Sequence, residues 1–217
     1  MNVEQARFNM IEQQIRPWDV LDTSVLALLS VVRRENFVPA AHRSLAFMDI
    51  EIPLPGGQNM LAPRVEARMV QDLNLSKRDR VLLIGAGSGY MTALIAHKAQ
   101  RVIAMEIRPE LVEFARTNLR NNQVHNAEVA QGDGSEGLPA QGPFDAIVLT
   151  GSVTAVPQAL FDQVKPGGRL MAIVGREPVM QATLFTKAAD GSITSRRLFD
   201  TLATPLDRMA AEAGFTF

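Results

Sequence analysis

Apolar runs and amphipathic segments alternate along most of this chain. Apolar residues at helical spacing begin near Tyr90, and the same spacing covers 108–121 and 156–164. The segments between them are rich in apolar residues, which is typical of buried strands in a parallel sheet. These strands are predicted at Val81–Ile84, Arg101–Glu106, Glu128–Gln131, Phe144–Thr150 and Arg169–Val174. The alternation predicts an α/β core.

The residues before the first strand have the period of helices. Residues 4–15 predict an amphipathic helix that ends before Pro17. Asp22 or Thr23 can cap a second helix, and a third helix follows Pro63. The chain is therefore expected to carry an N-terminal helical extension ahead of its sheet.

The C-terminal third has a different pattern. Lys165–Gly168 predicts a turn before the fifth strand. Gln181–Lys187 and Ser192–Phe199 predict a β-hairpin around Asp190–Gly191. The residues from Thr204 onward predict a short helix and a tail.

Length and composition indicate one folded domain. The chain has 217 residues, which is enough for a complete α/β core. We expect a single domain over 1–217, with helices and an active-site loop in 1–75 and the sheet core in 76–217. Hydrophobic residues make up 47% and charged residues 21%, as in globular proteins. The net charge of −1 and the lack of a basic run argue against nucleic acid as a partner.

The residue types that are absent exclude further chemistry. Without cysteine the chain has no disulfide, no cysteine-ligated zinc and no thiol nucleophile. His42, His97 and His125 are scattered without metal-ligand spacing, so no metal site is expected. No apolar run reaches membrane-spanning length, and the first residues are polar where a signal peptide needs an apolar core. These features predict a cytoplasmic enzyme.

A glycine-rich turn follows the strand Val81–Ile84 directly. Gly85-x-Gly87-x-Gly89 lets a ligand approach the backbone, and the helix start after it offers N–H groups to an anion. Tyr90 stands where the dinucleotide motif G-x-G-x-x-G has its third glycine. NAD-dependent reduction is therefore disfavoured. The G-x-G-x-G form resembles motif I of the S-adenosylmethionine-dependent methyltransferases.

Two acidic residues follow neighbouring predicted strands. Glu106 lies 21 positions after Gly85, about where a carboxylate binds ribose hydroxyls in such folds. Asp133 stands between two glycines at the end of the third strand. Ligands of α/β sheets bind outside the carboxyl ends of the strands. We therefore assign Glu106 to the ribose, Asp133 to the adenine amino group, and Thr150 to the same cleft.

The segment Asp49–Pro63 has the composition of an ordered loop. Its prolines and glycines fix a non-repetitive path. A connector is one interpretation. The other is a wall over the cofactor, because loops on a rigid scaffold often carry the site.

Several motifs together resemble the protein-L-isoaspartate (D-aspartate) O-methyltransferase family over about residues 10–206. The glycine motif and Lys165-Pro166-Gly167-Gly168-Arg169-Leu170 are shared by many class I methyltransferases. More specific to the family are Phe37-Val38-Pro39, Pro53-Leu54-Pro55 with Gly57-Gln58, and Gly132-Asp133-Gly134 followed by Gly137-Leu138-Pro139. The resemblance implies a Rossmann-like, mostly parallel twisted sheet flanked by helices.

The resemblance also implies a reaction. S-adenosylmethionine is expected as the cofactor and S-adenosylhomocysteine as the product, with the isoaspartyl carboxylate of a damaged protein or peptide as the methyl acceptor. The expected cofactor-binding residues are Gly85, Ala86, Gly87, Ser88, Gly89, Glu106, Ile107, Asp133, Gly134 and Thr150. The expected substrate-side loop consists of Gln58, Asn59, Met60 and Leu61.

The chain departs from the family at the acceptor end. The family's loop reads Gln-Thr-Ile-Ser, a further residue and Pro, so Leu61 stands at the active-site serine and Asn59 at the threonine. Leu83 stands where the family usually has an acidic residue. Asn59 is a possible substitute donor. The catalytic residue therefore stays unassigned, and two alternatives stay open: a methyltransferase with another, small acceptor, and a cofactor-binding or interaction protein without catalysis. The sequence leaves the oligomeric state open.

Overall fold

A seven-stranded sheet forms the centre of the structure, a computed structural model that describes residues 2–209. The strands of this sheet run in the order β5-β4-β3-β6-β7-β8-β9. The first five are parallel, and β8 and β9 form an antiparallel hairpin at one edge. Their bounds are β3 Arg80–Ile84, β4 Arg101–Glu106, β5 Ala127–Gln131, β6 Phe144–Val153, β7 Val164–Arg176, β8 Val179–Lys187 and β9 Ile193–Asp200. The predicted sheet and hairpin are confirmed.

Helices cover the sheet and precede it. They are α1 Val3–Asn9, α2 Thr23–Val31, α3 Pro63–Leu73, α4 Tyr90–Lys98, α5 Pro109–Asn121 and α6 Gln158–Asp162. A separate two-stranded ribbon pairs β1 Ile52–Pro53 with β2 Asn59–Met60. Short 3₁₀ turns lie at Arg16–Trp18, Arg34–Asn36, Ala40–Leu45 and Pro55–Gly57. Within residues 2–209, no helix is both long enough and apolar enough to cross a membrane.

The core divides between the two faces of the sheet. Val81 and Leu83 pack with the N-terminal helices, while Leu82 and Ile84 pack on the opposite face. This division follows from the period of a strand, because successive side chains point to opposite faces. All four are at most 4% exposed, so β3 is buried on both faces.

Three segments differ in detail from their predicted form. The helix predicted over 156–164 covers only Gln158–Asp162, because Val164 already belongs to β7. The helix predicted over 4–15 is α-helical to Asn9 and then π-helical over Met10–Ile15. Lys165–Gly168 is an irregularity inside β7 and not a separate turn, because Phe144 pairs with Val164 and Ala146 with Arg169. Gly167 adopts a φ of 78° within this irregularity, a conformation that glycine reaches without steric cost.

The residues after the hairpin return to the sheet. Pro205 pairs with Ser152 of β6 in a parallel bridge, and Leu206 donates a backbone hydrogen bond to the Ser152 carbonyl at 3.0 Å. The short helix predicted from Thr204 is wrong for the described part, since 204–209 contains a bridge and a turn. We name Thr204–Met209 the C-terminal segment. The rest of that predicted helix and tail lies outside the described residues.

Candidate functional site

A cleft opens at the carboxyl ends of β3 and β6. The chain leaves β3 for β4 on one side, whereas β6 lies on the other side of β3. This is the topological switch point at which α/β sheets bind ligands. The residues that line the cleft are Leu54, Gln58, Asn59, Ile84, Gly85, Gly87, Met105, Glu106, Ile107, Leu111, Gly132, Asp133, Gly134, Thr150, Leu206, Asp207 and Met209.

The glycine turn after β3 leaves no room for a side chain at its first position. Gly85 has a φ of +92°, and a Cβ there would lie 2.6 Å from the Thr150 Oγ1. The Thr150 hydroxyl in turn donates to the Ile84 carbonyl at 3.0 Å. Strand β6 and the glycine turn are therefore in direct contact, and residue 85 has to be glycine.

Glu106 at the end of β4 holds the backbone of the site. Its carboxylate accepts the backbone N–H of Gly87 at 2.9 Å and that of Arg108 at 3.0 Å. The residue is only 5% exposed, yet it lines the cleft. Each carboxylate oxygen can accept a second hydrogen bond. Glu106 can therefore bind a ligand while it fixes the glycine turn.

Asp133, after β5, forms the other acidic wall of the cleft. The backbone N–H of Ser135 donates to it at 2.9 Å, and this bond holds the pKa of Asp133 below its usual value. Arg208 of the C-terminal segment donates to the same carboxylate at 3.3 Å. Neighbouring Gly134 is tightly packed, because a Cβ there would collide with the Ile84 Cγ2.

The C-terminal segment closes one side of the cleft through Asp207. Arg108 donates two hydrogen bonds to this carboxylate, at 2.7 and 3.1 Å, and this pair raises the pKa of the guanidinium. Gln58 donates to the same carboxylate at 3.3 Å. One aspartate thus joins the C-terminal segment, the residues after β4 and the substrate-side loop.

The substrate-side loop is held by a buried arginine. Arg34 donates to the carbonyl of Leu61 at 2.7 Å and to that of Ala46 at 3.1 Å. The Leu61 side chain is 4% exposed and packs in the hydrophobic core. Leu61 and Met60 are not among the residues that line the cleft, whereas Asn59 is.

Arg34 also pairs with Glu66 in the interior. The two charged groups are hydrogen-bonded, with side chains 0% and 3% exposed. Burial raises the pKa of Glu66 to about 7, although the charge of Arg34 opposes this shift and the charge of Glu51 adds to it. The guanidinium lies 5.1 Å from the ring centre of Tyr90. Arg34 therefore connects the loop to both α3 and the start of α4.

Most of the predicted site residues come together in this cleft. It contains Gln58, Asn59, Gly85, Gly87, Glu106, Ile107, Asp133, Gly134 and Thr150. Three of the other predicted residues support the turn from behind: the Ser88 hydroxyl accepts the N–H of Tyr90 at 3.2 Å, Gly89 packs against Ala115, and Ala86 is buried.

Sequence reasoning missed the C-terminal part of the site. Leu206, Asp207 and Met209 line the cleft, although the pattern from Thr204 onward indicated a short helix and tail. No local spacing marks these residues. The pairing of Pro205 with β6 brings them there.

Comparisons with known proteins identify the family of this chain. The family model described as protein-L-isoaspartate(D-aspartate) O-methyltransferase matches residues 5–210. A protein-L-isoaspartate O-methyltransferase from Aeropyrum pernix is 38% identical over 206 residues, which are 93% of this chain and 79% of the relative. The relative of the same name from Methanoculleus marisnigri is 41% identical over 171 residues, 79% of this chain and 78% of that protein.

A solved structure gives the same fold. A chain from Plasmodium falciparum, in complex with S-adenosyl-L-homocysteine, superimposes with a TM-score of 0.81 at 22% identity. The match covers 96% of this chain and 99% of that one. The sheet and the position of its cleft define a class I methyltransferase fold. Within that class, the chain belongs to the protein-L-isoaspartate(D-aspartate) O-methyltransferase family.

Proposed function

We propose that this protein transfers a methyl group from S-adenosylmethionine to the carboxylate of isoaspartyl residues in proteins. The observation that carries the proposal is the cleft at the switch point between β3 and β6, in a chain of this family. The family match favours the isoaspartyl acceptor over the small-acceptor and non-catalytic alternatives.

The residues of the cleft suit this cofactor. The cleft combines apolar residues with a few polar groups, as sites for small molecules do. Glu106 would accept from the ribose hydroxyls and Asp133 from the adenine amino group, while Met105, Ile107 and Leu111 supply apolar surface. Gly85 and Gly87 leave the backbone open to the amino-acid end of the cofactor.

The reaction requires little acid–base chemistry from the protein. The bound cofactor supplies an electrophilic methyl group on its sulfonium. The acceptor carboxylate is ionised at neutral pH, so no general base is needed. The protein's residues therefore have to exclude water and align the acceptor. Asn59 offers the acceptor a hydrogen-bond donor where Leu61 has none.

Labelled methyl transfer tests this function. We expect base-labile methylation of a peptide that contains isoaspartate, and background methylation of the matched peptide with normal aspartate. Equal labelling of the two peptides, or none above a heat-inactivated sample, would contradict the isoaspartyl acceptor. Calorimetric titration with S-adenosylhomocysteine tests the cofactor separately, and no heat at millimolar ligand contradicts the cofactor assignment.

The acidic residues of the cleft give the first prediction. Glu106→Gln replaces one acceptor oxygen by an N–H₂ group that faces backbone donors, and Asp133→Asn does the same beside Ser135. Hydrogen bonds to charged groups contribute about 1.5–3 kcal/mol. We therefore expect each variant to bind S-adenosylhomocysteine about 10- to 100-fold more weakly in calorimetry. Glu128→Gln, an exposed carboxylate on β5, is the control. Wild-type affinity in both variants would refute the assignments.

The ion pair between Arg108 and Asp207 gives the second prediction. Asp207→Ala frees the C-terminal segment from Arg108 and Gln58. The side chains of the pair are 28% and 32% exposed, so its contribution is about 1 kcal/mol. We expect S-adenosylhomocysteine to dissociate about fivefold faster in stopped-flow measurements. Asp200→Ala, which removes the exposed partner of Gln181, should leave the rate unchanged. An unchanged rate in Asp207→Ala would show that the segment does not retain the ligand.

A further inference from the structure

Three polar side chains form a hydrogen-bonded chain beside the cleft. The Asn59 carboxamide donates to the Thr204 hydroxyl oxygen at 2.7 Å, and the Thr204 hydroxyl donates to the Glu51 Oε2 at 3.4 Å. We name these residues the polar relay. They come from three separate parts of the chain: the residue before β1, strand β2 and the C-terminal segment. Among them, Asn59 lines the cleft.

The backbone holds the middle member of the relay in place. The Thr204 carbonyl accepts the backbone N–H of Ser152 at 3.0 Å, at the carboxyl end of β6. Gly151 permits this approach, because a Cβ there would lie 2.7 Å from the Thr204 carbonyl oxygen. The Thr204 hydroxyl is therefore fixed to the same sheet edge that carries Thr150 and the glycine turn.

The polar relay ends at the Glu51 carboxylate, which can accept further hydrogen bonds. Within the described residues, the Glu51 Oε1 is buried and has no hydrogen-bond partner. Such an oxygen is costly to bury, so a structural role alone gives a poor account of Glu51. The other oxygen accepts the hydroxyl proton of Thr204. A hydroxyl that donates in one direction accepts in the other, so Thr204 presents its oxygen to an N–H of Asn59.

This arrangement fixes the orientation of the Asn59 carboxamide. With one N–H bound to Thr204, the group retains a second N–H and its carbonyl oxygen. An acceptor carboxylate next to the cofactor needs a donor to orient it, and Leu61 has none. A carboxamide free to rotate would present its oxygen to that anion as readily as its nitrogen. The relay removes this freedom.

We propose that Thr204 and Glu51 are positioning residues for Asn59, and that the Asn59 carboxamide donates the hydrogen bond that orients the acceptor carboxylate. The inference rests on the proposed function and extends it to named residues at the acceptor end. In this proposal, Asn59, Thr204 and Glu51 together supply the hydrogen-bond donor that the family has in the serine at position 61.

Substitutions at Thr204 provide the central test. Thr204→Val keeps the shape but removes the hydroxyl, and Thr204→Ser keeps the hydroxyl. We expect Thr204→Val to lower kcat/KM for the isoaspartyl peptide about tenfold, the effect of one net hydrogen bond. Thr204→Ser should restore most of the loss. Thr201→Val is the matched control in the neighbouring loop, where the hydroxyl donates to the Leu202 carbonyl.

The other members of the relay should behave as parts of one unit. Glu51→Leu should reproduce the loss, whereas Glu51→Gln retains an acceptor for Thr204 and should lose less. The double variant Glu51→Leu/Thr204→Val should be no worse than either single variant, because both break the same chain. Asn59→Leu removes the donor itself and should cost about 100-fold. Additive losses in the double variant would overturn the relay.

Two binding measurements distinguish a failure of this inference from a failure of the proposed methyl transfer on which it rests. Affinity for S-adenosylhomocysteine and the urea midpoint should stay at wild-type values in the Thr204 variants, since a merely structural role would change them. Affinity of the isoaspartyl peptide for the protein loaded with S-adenosylhomocysteine should fall in Thr204→Val and recover in Thr204→Ser. If the peptide does not bind the wild-type protein, the proposed function fails and this inference with it. If it binds all variants equally, only the relay is refuted.

Discussion

Replacement of Arg34 by methionine should lower the free energy of unfolding by about 3–5 kcal/mol, the range measured when one partner of a buried ion pair is removed. Arg34 is 0% exposed, and its loss leaves Glu66 and the carbonyls of Ala46 and Leu61 without their donor. Urea unfolding followed by circular dichroism measures the change.

The pH dependence of that loss follows from Glu66. Its folded pKa of about 7 lies above the ordinary value of 4.5, so the folded state binds the proton more tightly and stability falls as pH rises between these values. Without Arg34 the pKa of Glu66 rises further. The loss in Arg34→Met should therefore be greater at pH 8 than at pH 6.

A double variant is the control for Arg34. Arg34→Met/Glu66→Leu replaces the pair by apolar groups and should recover most of the stability, because both desolvation penalties disappear. A loss in Arg34→Met that is the same at pH 6 and pH 8 would show that the charge of Glu66 is not its cause. A loss below about 1 kcal/mol would show that the pair contributes no more than a surface ion pair.

Gly85→Ala should strongly weaken cofactor binding. The new Cβ would lie 2.6 Å from the Thr150 Oγ1 and 2.8 Å from the Leu206 Cδ2, at a φ of +92°. The backbone strain alone costs about 1–3 kcal/mol. Together with the displacement of Thr150, this predicts an affinity for S-adenosylhomocysteine about 100-fold lower, which corresponds to about 2.7 kcal/mol.

Gly191→Ala separates the strain from the loss of the site. Gly191 has a φ of +87°, and nothing lies within 4 Å of a Cβ there. This variant should lose stability to a similar backbone strain and keep wild-type affinity in the same titration. If Gly85→Ala keeps its affinity, or Gly191→Ala loses as much, the close contact at residue 85 does not determine binding.

Local patterns predicted the sheet and one half of the site. The strands have apolar runs, and the glycine turn, Glu106 and Asp133 follow strands directly. Parallel strands bring their carboxyl ends to one edge, so residues at these positions meet without any knowledge of packing. Thr150, near the carboxyl end of β6, lines the cleft for the same reason.

The other half of the site has no such local mark. Leu61 was expected on the substrate side, but Arg34 holds its carbonyl and its side chain packs in the core. Thr204 and Asp207 were expected in a short helix and tail. Asp207 lines the cleft and Thr204 lies beside it, because Pro205 pairs with Ser152, more than fifty positions earlier in the chain. Such pairing depends on long-range contacts that no sequence period encodes.

The sequence by itself determined the α/β sheet, the position of the glycine turn and the two acidic residues, because strand period and glycine geometry are local properties. The class I methyltransferase fold was implied by the resemblance of its motifs to a known family. The tertiary structure alone decided which of the residues 58–61 face the cleft. It also decided that the C-terminal segment forms one side of the cleft. Both outcomes result from contacts between segments distant in sequence, with Arg34 beneath the loop and β6 beside the segment. The orientation of Asn59 depends on the same contacts, since Thr204 reaches it only in the folded chain.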